Sequence, residues 1–142
     1  MPFWVPVAAS GVTAAVATTV DVLTGRRKRA KARRETSAKF RSTFAQAIAD
    51  LGNIDAHAFM TEAREQHDAA ILDFRRFVES RQIESFDAAV QKFNLYRSEV
   101  QPAPAKVLAS LESGRRVDNS DTVRVKEAIN ELLLFADGGQ QR

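Results

Sequence analysis

The chain has 142 residues, of which 44% are hydrophobic, with no cysteine and a formal net charge of +3. This length allows one small domain, and the absence of cysteine excludes disulfides and thiolate chemistry. The charge is uneven: residues 26–41 hold nine basic residues and one acidic residue, whereas residues 42–142 hold 12 basic and 16 acidic residues. The basic character therefore belongs to one segment and not to the whole surface.

The first predicted element is a transmembrane anchor at residues 1–25. The run from Phe3 to Leu23 contains no Lys or Arg, and as a helix it would span about 31 Å, close to the thickness of a bilayer core. Two alternatives stay open. One is a secretory signal peptide cleaved near residues 15–17, although its basic region would follow the apolar core instead of preceding it. The other is a helix buried in the domain or in a partner.

The anchor is rich in small residues. Their small-x-x-x-small spacing lets membrane helices approach closely, so a homo-oligomer through the anchor is one expectation. The residues expected at this contact are Ser10, Gly11, Ala14 and Ala15.

A basic juxtamembrane stalk is predicted at residues 26–39. Basic residues on the C-terminal side of an apolar span place that side in the cytoplasm, so the N-terminus is expected outside the inner (plasma) membrane. The stalk is expected to contact the phosphates of anionic lipids. Nucleic acid is a less favoured partner, because no aromatic residue is interleaved with the charges. The predicted contact residues are Arg26, Arg27, Lys28, Arg29, Lys31, Arg33 and Arg34.

A helical bundle is predicted at residues 40–138, where apolar residues recur every three or four positions. The first helix of the bundle should end at Gly52. The second should begin at the N-cap Asp55 and continue without a break to Val78, and Ser85 should cap a third helix that lies antiparallel to it.

Two further helices complete the predicted bundle. Pro102 and Pro104 should end the third helix, and a short helix from about Ala105 to Ser113 should stop at Gly114. Ser120 or Asp121 should cap the last helix, and residues 139–142 should form a flexible tail. The apolar residues predicted to face inward on the short helix are Val107, Leu108 and Leu111. The fold class is therefore all-α, with a single N-terminal transmembrane helix, a basic stalk and a small antiparallel helical bundle.

Catalytic and metal-binding signatures are missing from the sequence. His67 lies on an apolar stripe, ten residues from His57, without the spacing of a metal-binding pair, so a structural role is favoured. The acids Glu62, Glu65 and Asp68 indicate a solvated helix face, with Arg64 in i, i+4 register to Asp68. Neither a P-loop nor a dinucleotide fingerprint nor a nucleophile elbow occurs. No catalytic, cofactor or metal residue is predicted.

The segment from Phe74-Arg75-Arg76-Phe77 through Phe86-Asp87-Ala88-Ala89 to Phe93 and Tyr96 resembles a stretch of short bacterial proteins of unassigned function, often with an apolar N-terminus. The resemblance implies a bacterial or bacteriophage source. It implies no activity, cofactor or catalytic residue.

These features predict a membrane-anchored, non-enzymatic helical module that binds or scaffolds a protein partner. One alternative is a soluble helical protein that binds nucleic acid or a protein partner. The other is a phage or toxin-type protein whose apolar helix perturbs the membrane.

Overall fold

The computed structural model describes the backbone of residues 5–137 and the side chains of residues 22–137. The regular secondary structure of this part of the chain is entirely helical, without a strand, so the all-α class is confirmed. The chain divides into two compact units, Met1–Glu35 and Thr36–Arg142. The helices are α1 (Val5–Leu51), α2 (Ala56–Glu62), α3 (Arg64–Arg75), α4 (Ile83–Ser98), α5 (Ala103–Ser113) and α6 (Ser120–Asp137), with a 3₁₀ turn at Ser80–Gln82.

The predicted transmembrane anchor finds no support in the structure. Within the described residues, no helix is both long and apolar enough to cross a membrane. The helix that begins at Val5 does not end at the predicted membrane boundary but continues through Gly25 into the basic segment. Residues 1–4 and the side chains of residues 5–21, which make up most of the predicted span, lie outside the described residues.

The core of the second unit is built on phenylalanines that lie one turn apart. Phe40 and Phe44 are buried on the C-terminal part of α1. The ring of Phe40 stacks on Phe74 of α3 with centroids 4.4 Å apart, and Phe44 meets the edge of Phe93 of α4 at 5.5 Å. Because Phe44 also stacks on His67, earlier in α3 than Phe74, the two helices run antiparallel. Aromatic contacts therefore join α1, α3 and α4.

The helices α3 and α4 form the predicted antiparallel hairpin. Phe74 lies 5.7 Å from Phe86, ring centre to ring centre, and Arg75 makes two hydrogen bonds of 2.9 Å to Asp87. The helix α6 packs antiparallel to α4, because Phe86, near the start of α4, contacts Phe135, near the end of α6. The helical bundle is thus confirmed.

Local boundaries differ from the prediction at two places. The single helix expected from Asp55 to Val78 is divided at Ala63, where ψ is 1°, although the N–H of Ala63 still bonds the carbonyl of Phe59 and its own carbonyl accepts from the N–H of His67. Asp55 precedes α2 but makes no side-chain capping bond. The helix α4 begins at Ile83 instead of after Ser85, because the 3₁₀ turn leads directly into it.

The structure contradicts the prediction that the apolar residues of α5 face the core. Pro104 lies in its first turn, where a missing N–H costs little, and Gly114 ends it in the left-handed conformation with φ 66°, as predicted. However, no residue of α5 is buried, and Val107, Leu108 and Leu111 are 40%, 57% and 75% exposed. Their spacing correctly indicates one apolar face, but spacing does not determine whether another helix covers that face.

Candidate functional site

The basic segment of α1 is the main candidate site. It consists of the seven predicted contact residues between Arg26 and Arg34, and all seven side chains are exposed. Among the described residues only Lys31 of the seven forms an ion pair, a 3.8 Å contact with Glu35 in i, i+4 register. Because both partners are exposed, this pair contributes little. The segment therefore presents its cations to solvent.

Helical geometry distributes these cations around the axis of α1. At about 100° per residue, Arg26, Arg29 and Arg33 fall on one side, and Arg27, Lys31 and Arg34 fall on another. Lys28 lies between those two groups on the remaining side. The segment consequently has no apolar face that could insert among acyl chains, and its charge is the property by which it could attract another surface.

The residues predicted to pack membrane helices together, and the last cation of the basic run, lie elsewhere on α1. Ser10, Gly11, Ala14 and Ala15 belong to α1, but their side chains lie outside the described residues, so the predicted membrane-helix packing stays a prediction. Arg41, the last cation of the basic run, has a structural contact that the sequence did not indicate. Its Nη2 donates a 2.7 Å hydrogen bond to the carbonyl of Ala136, at the end of α6. A cation at that end also favours the helix dipole.

His67 has the structural role that its position in an apolar stripe predicts. It is only 3% exposed, and its ring stacks on Phe44 at 5.4 Å. Burial lowers its pKa below the ordinary 6.5, and the charge of Arg97 lowers it further, while Asp68 and Asp50 oppose the shift. Its Nδ1 has no hydrogen-bond partner within the described residues. The imidazole is therefore held neutral in the core.

Arg97 is a buried cation that sequence reasoning missed. Its Nη2 donates a 2.7 Å hydrogen bond to Asp68, which is thereby paired across the bundle and not with Arg64 as its helical register suggested. The guanidinium also lies over the ring of Phe93, 5.1 Å from its centre, in a cation–π arrangement. A signal was present, because Arg97 occupies one position of the apolar stripe that Phe93 and Val100 define.

A polar cleft of about 520 Å³ lies where α5, the following loop and α6 meet. Its lining includes a largely buried ion pair of 2.7 Å between Lys106 and Asp121. Although burial acts to raise the pKa of Asp121, the Lys106 ammonium and the N–H groups of Gln101 and Thr122 together lower it. Asp121 is committed to these three donors, so the pair joins α5 to α6.

In the described part of the chain, no three His, Cys, Asp or Glu residues lie close enough together to hold a metal ion. His57 and His67 are on different helices, and Glu62 and Glu65 are exposed on the surface. The prediction that the protein is not an enzyme stays a prediction.

Comparison with protein-family models, curated proteins and solved structures finds no match to this chain.

Proposed function

We propose that this protein is a non-enzymatic helical binding or scaffolding module, held at the cytoplasmic face of the cell membrane by its N-terminal unit. The observation that carries the proposal is the exposure of all seven basic residues between Arg26 and Arg34, with a single weak ion pair among them. Cations already paired in the fold would have little attraction left for another surface. These cations remain available to lipid phosphates.

The size of the electrostatic attraction to an anionic leaflet supports a membrane role for this segment. Each Lys or Arg near an anionic leaflet contributes about 1 kcal/mol, so several together hold a helix at the surface at moderate salt. Because the cations surround the helix axis, contact does not depend on one rotational setting of α1. For the predicted N-terminal span, the positive-inside rule expects the same residues on the cytoplasmic side. The helical bundle is then the part that binds a protein partner.

Nucleic acid is the competing polyanion. The same cations attract any phosphate backbone, and such attraction is salt-dependent and unselective. Selective recognition of single strands uses aromatic rings on which bases stack, and residues 26–39 contain none. We therefore favour the membrane surface and treat nucleic acid as an outcome of the test.

The test is a vesicle-binding assay with the full-length protein. Binding should increase with the anionic lipid fraction, and raising the salt should weaken the electrostatic part of it. Replacing Arg26, Arg27, Lys28 and Arg29 by Gln should remove most of that salt-sensitive part. The matched control replaces four exposed arginines of the second unit by Gln and should bind as the wild type does. The control residues are Arg76, Arg115, Arg116 and Arg124.

Two results would contradict the proposal. Equal losses in the two fourfold variants would mean that only total charge matters. Tight, structure-selective binding of RNA or DNA at physiological salt, with no response to anionic vesicles, would favour the nucleic-acid alternative. Cell fractionation tests the predicted anchor separately, because an inserted apolar helix should keep the protein in the membrane pellet through a high-salt wash.

A further inference from the structure

The helix α5 is attached to the bundle without an apolar anchor. No residue of α5 is buried, whereas four apolar residues of α6 are fully buried in the core. Burial of apolar side chains is the main force that holds one helix on another, and α5 lacks it. The four buried residues of α6 are Val125, Ala128, Ile129 and Leu132.

The side of α5 that lines the polar cleft is itself polar. Lys106, Ser110 and Ser113 recur at spacings of four and three residues, and all three line the cleft. At about 100° per residue, Leu108 and Leu111 fall on the opposite side of the helix, and both are exposed. The contact between α5 and the rest of the domain is therefore made by polar groups.

A single largely buried ion pair attaches α5 to α6. Nζ of Lys106 donates a 2.7 Å hydrogen bond to Oδ1 of Asp121, and the two side chains are only 9% and 15% exposed. Among the described residues, no other side chain of α5 makes a hydrogen bond or ion pair beyond the helix and its adjoining loops. Ser110 donates to the carbonyl of Arg115, and Ser113 donates to that of Ser110. The position of α5 thus depends on one contact.

The connections at both ends of α5 allow it to move. Residues 99–102 and 114–119 contain no helix, and hinges are built from such short irregular segments. The N–H of Gln101 donates a 2.9 Å hydrogen bond to Asp121, so the first connection stays beside α6 even without Lys106. At the other end, Gly114 has open space around the position of a side chain. The end of α5 at Gly114 is therefore the freer one.

We propose that α5 is a hinged lid over the cleft of about 520 Å³, and that the Lys106–Asp121 ion pair is the latch that keeps the lid closed. While the pair is formed, α5 lies beside α6. When the pair is broken, α5 detaches, and α3, α4 and α6 stay packed around their aromatic core. A helix of 11 residues is marginal in water on its own, so detached α5 also loses its helical hydrogen bonds.

Amide hydrogen exchange of the full-length protein tests the latch. Lys106→Met removes the ammonium and keeps an apolar stem, while Asp121 retains the N–H groups of Gln101 and Thr122 as partners. We expect the amides of α5 to exchange about tenfold faster or more, the value of one hydrogen bond to a charged group. The amides of α4 and α6 should exchange as they do in the wild type.

The matched control breaks an ion pair between two helices that also share a buried core. Lys92 of α4 pairs with Glu131 of α6 at 2.6 Å, and both side chains are partly exposed. Lys92→Met should leave the exchange of α5 unchanged and should not release α6, because apolar residues hold α6 in place.

A distance measurement reports the movement directly. The chain has no cysteine, so spin labels attached after Leu95→Cys and Leu111→Cys, at exposed positions of α4 and α5, are specific. We expect a narrow distribution of distances between the labels with Lys106 present and a broad one after Lys106→Met.

Four results would overturn the proposal. The first is that Lys106→Met changes neither the exchange of α5 nor the label distances. The second is that exchange accelerates equally in α4, α5 and α6, because the pair would then stabilise the whole bundle. The third is an equal effect of Lys92→Met on α5. The fourth is that the amides of α5 are unprotected in the wild type, because the latch would then hold nothing.

Discussion

At the scale of single residues, the burial of His67 makes the stability of the fold depend on pH. Burial and the nearby Arg97 lower its pKa in the fold below 6.5. As pH falls below about 6.5, the unfolded chain takes up this proton before the folded protein does, so the free energy of unfolding decreases. The stability that neutral His67 allows is present above this range and is lost as pH falls through the lowered pKa.

We therefore expect wild-type stability to fall as the pH drops below about 6.5, and expect the fall to be smaller in two variants that do not titrate at this position. His67→Gln removes the proton, and His67→Phe also keeps a ring against Phe44. Urea unfolding at a series of pH values measures the slope. An unchanged slope in both variants would show that another group causes the pH dependence.

Arg97 shows that tertiary contacts determine whether a charged residue is exposed or buried. In sequence it lies in the last turn of α4, on the apolar stripe that includes Phe93 and Val100. In the fold it lies against Phe93 and pairs with Asp68 on α3, so its surroundings come from two helices. Burial of this cation depends on residues of both α3 and α4, and Asp68 lies 29 residues from Arg97 in the chain.

At the scale of elements, α4 and α5 have opposite environments despite similar apolar spacing. The ring of Phe86 on α4 is fully buried between Phe74 and Phe135, whereas Leu111 on α5 is 75% exposed. Phe86→Ala should therefore lower the free energy of unfolding by about 3–5 kcal/mol, because it leaves a cavity. Leu111→Ala should change it by no more than about 0.5 kcal/mol.

Urea unfolding of the two full-length variants measures both values under the same conditions. A loss of several kcal/mol in Leu111→Ala would mean that α5 is covered by another surface in solution. A negligible loss in Phe86→Ala would contradict the packing of α3, α4 and α6 around this ring.

At the scale of the whole molecule, the second unit contains the complete described core. Every buried or partly buried apolar residue of that core lies between Phe40 and Ala136. A fragment of residues 36–142 should thus be strongly helical by circular dichroism and should unfold cooperatively on heating. The same fragment should bind anionic vesicles much more weakly than the full-length protein, because it lacks Arg26–Arg34.

Circular dichroism melting and vesicle sedimentation of this fragment are the measurements. A broad, non-cooperative transition would show that residues 1–35 are needed for folding. Vesicle binding equal to that of the full-length protein would assign the membrane contact to the bundle, against the function proposed above.

The sequence alone determined those features that depend on neighbouring residues. Apolar spacing identified the buried faces that include Phe44, Phe74 and Phe93, and Gly114 correctly ended α5 because glycine readily adopts a positive φ. The cluster of basic residues was equally readable, since exposure of a highly charged helix follows from its composition. Each of these conclusions needs only a local pattern.

Only the tertiary structure decided which apolar or charged helix faces pack against another helix. Val107, Leu108 and Leu111 have the spacing of a core face, yet they are exposed; Arg97 carries a charge, yet it is buried and pairs with Asp68 of α3. Burial is a property of helices packed together, and a local apolar or charged pattern does not specify which helices meet.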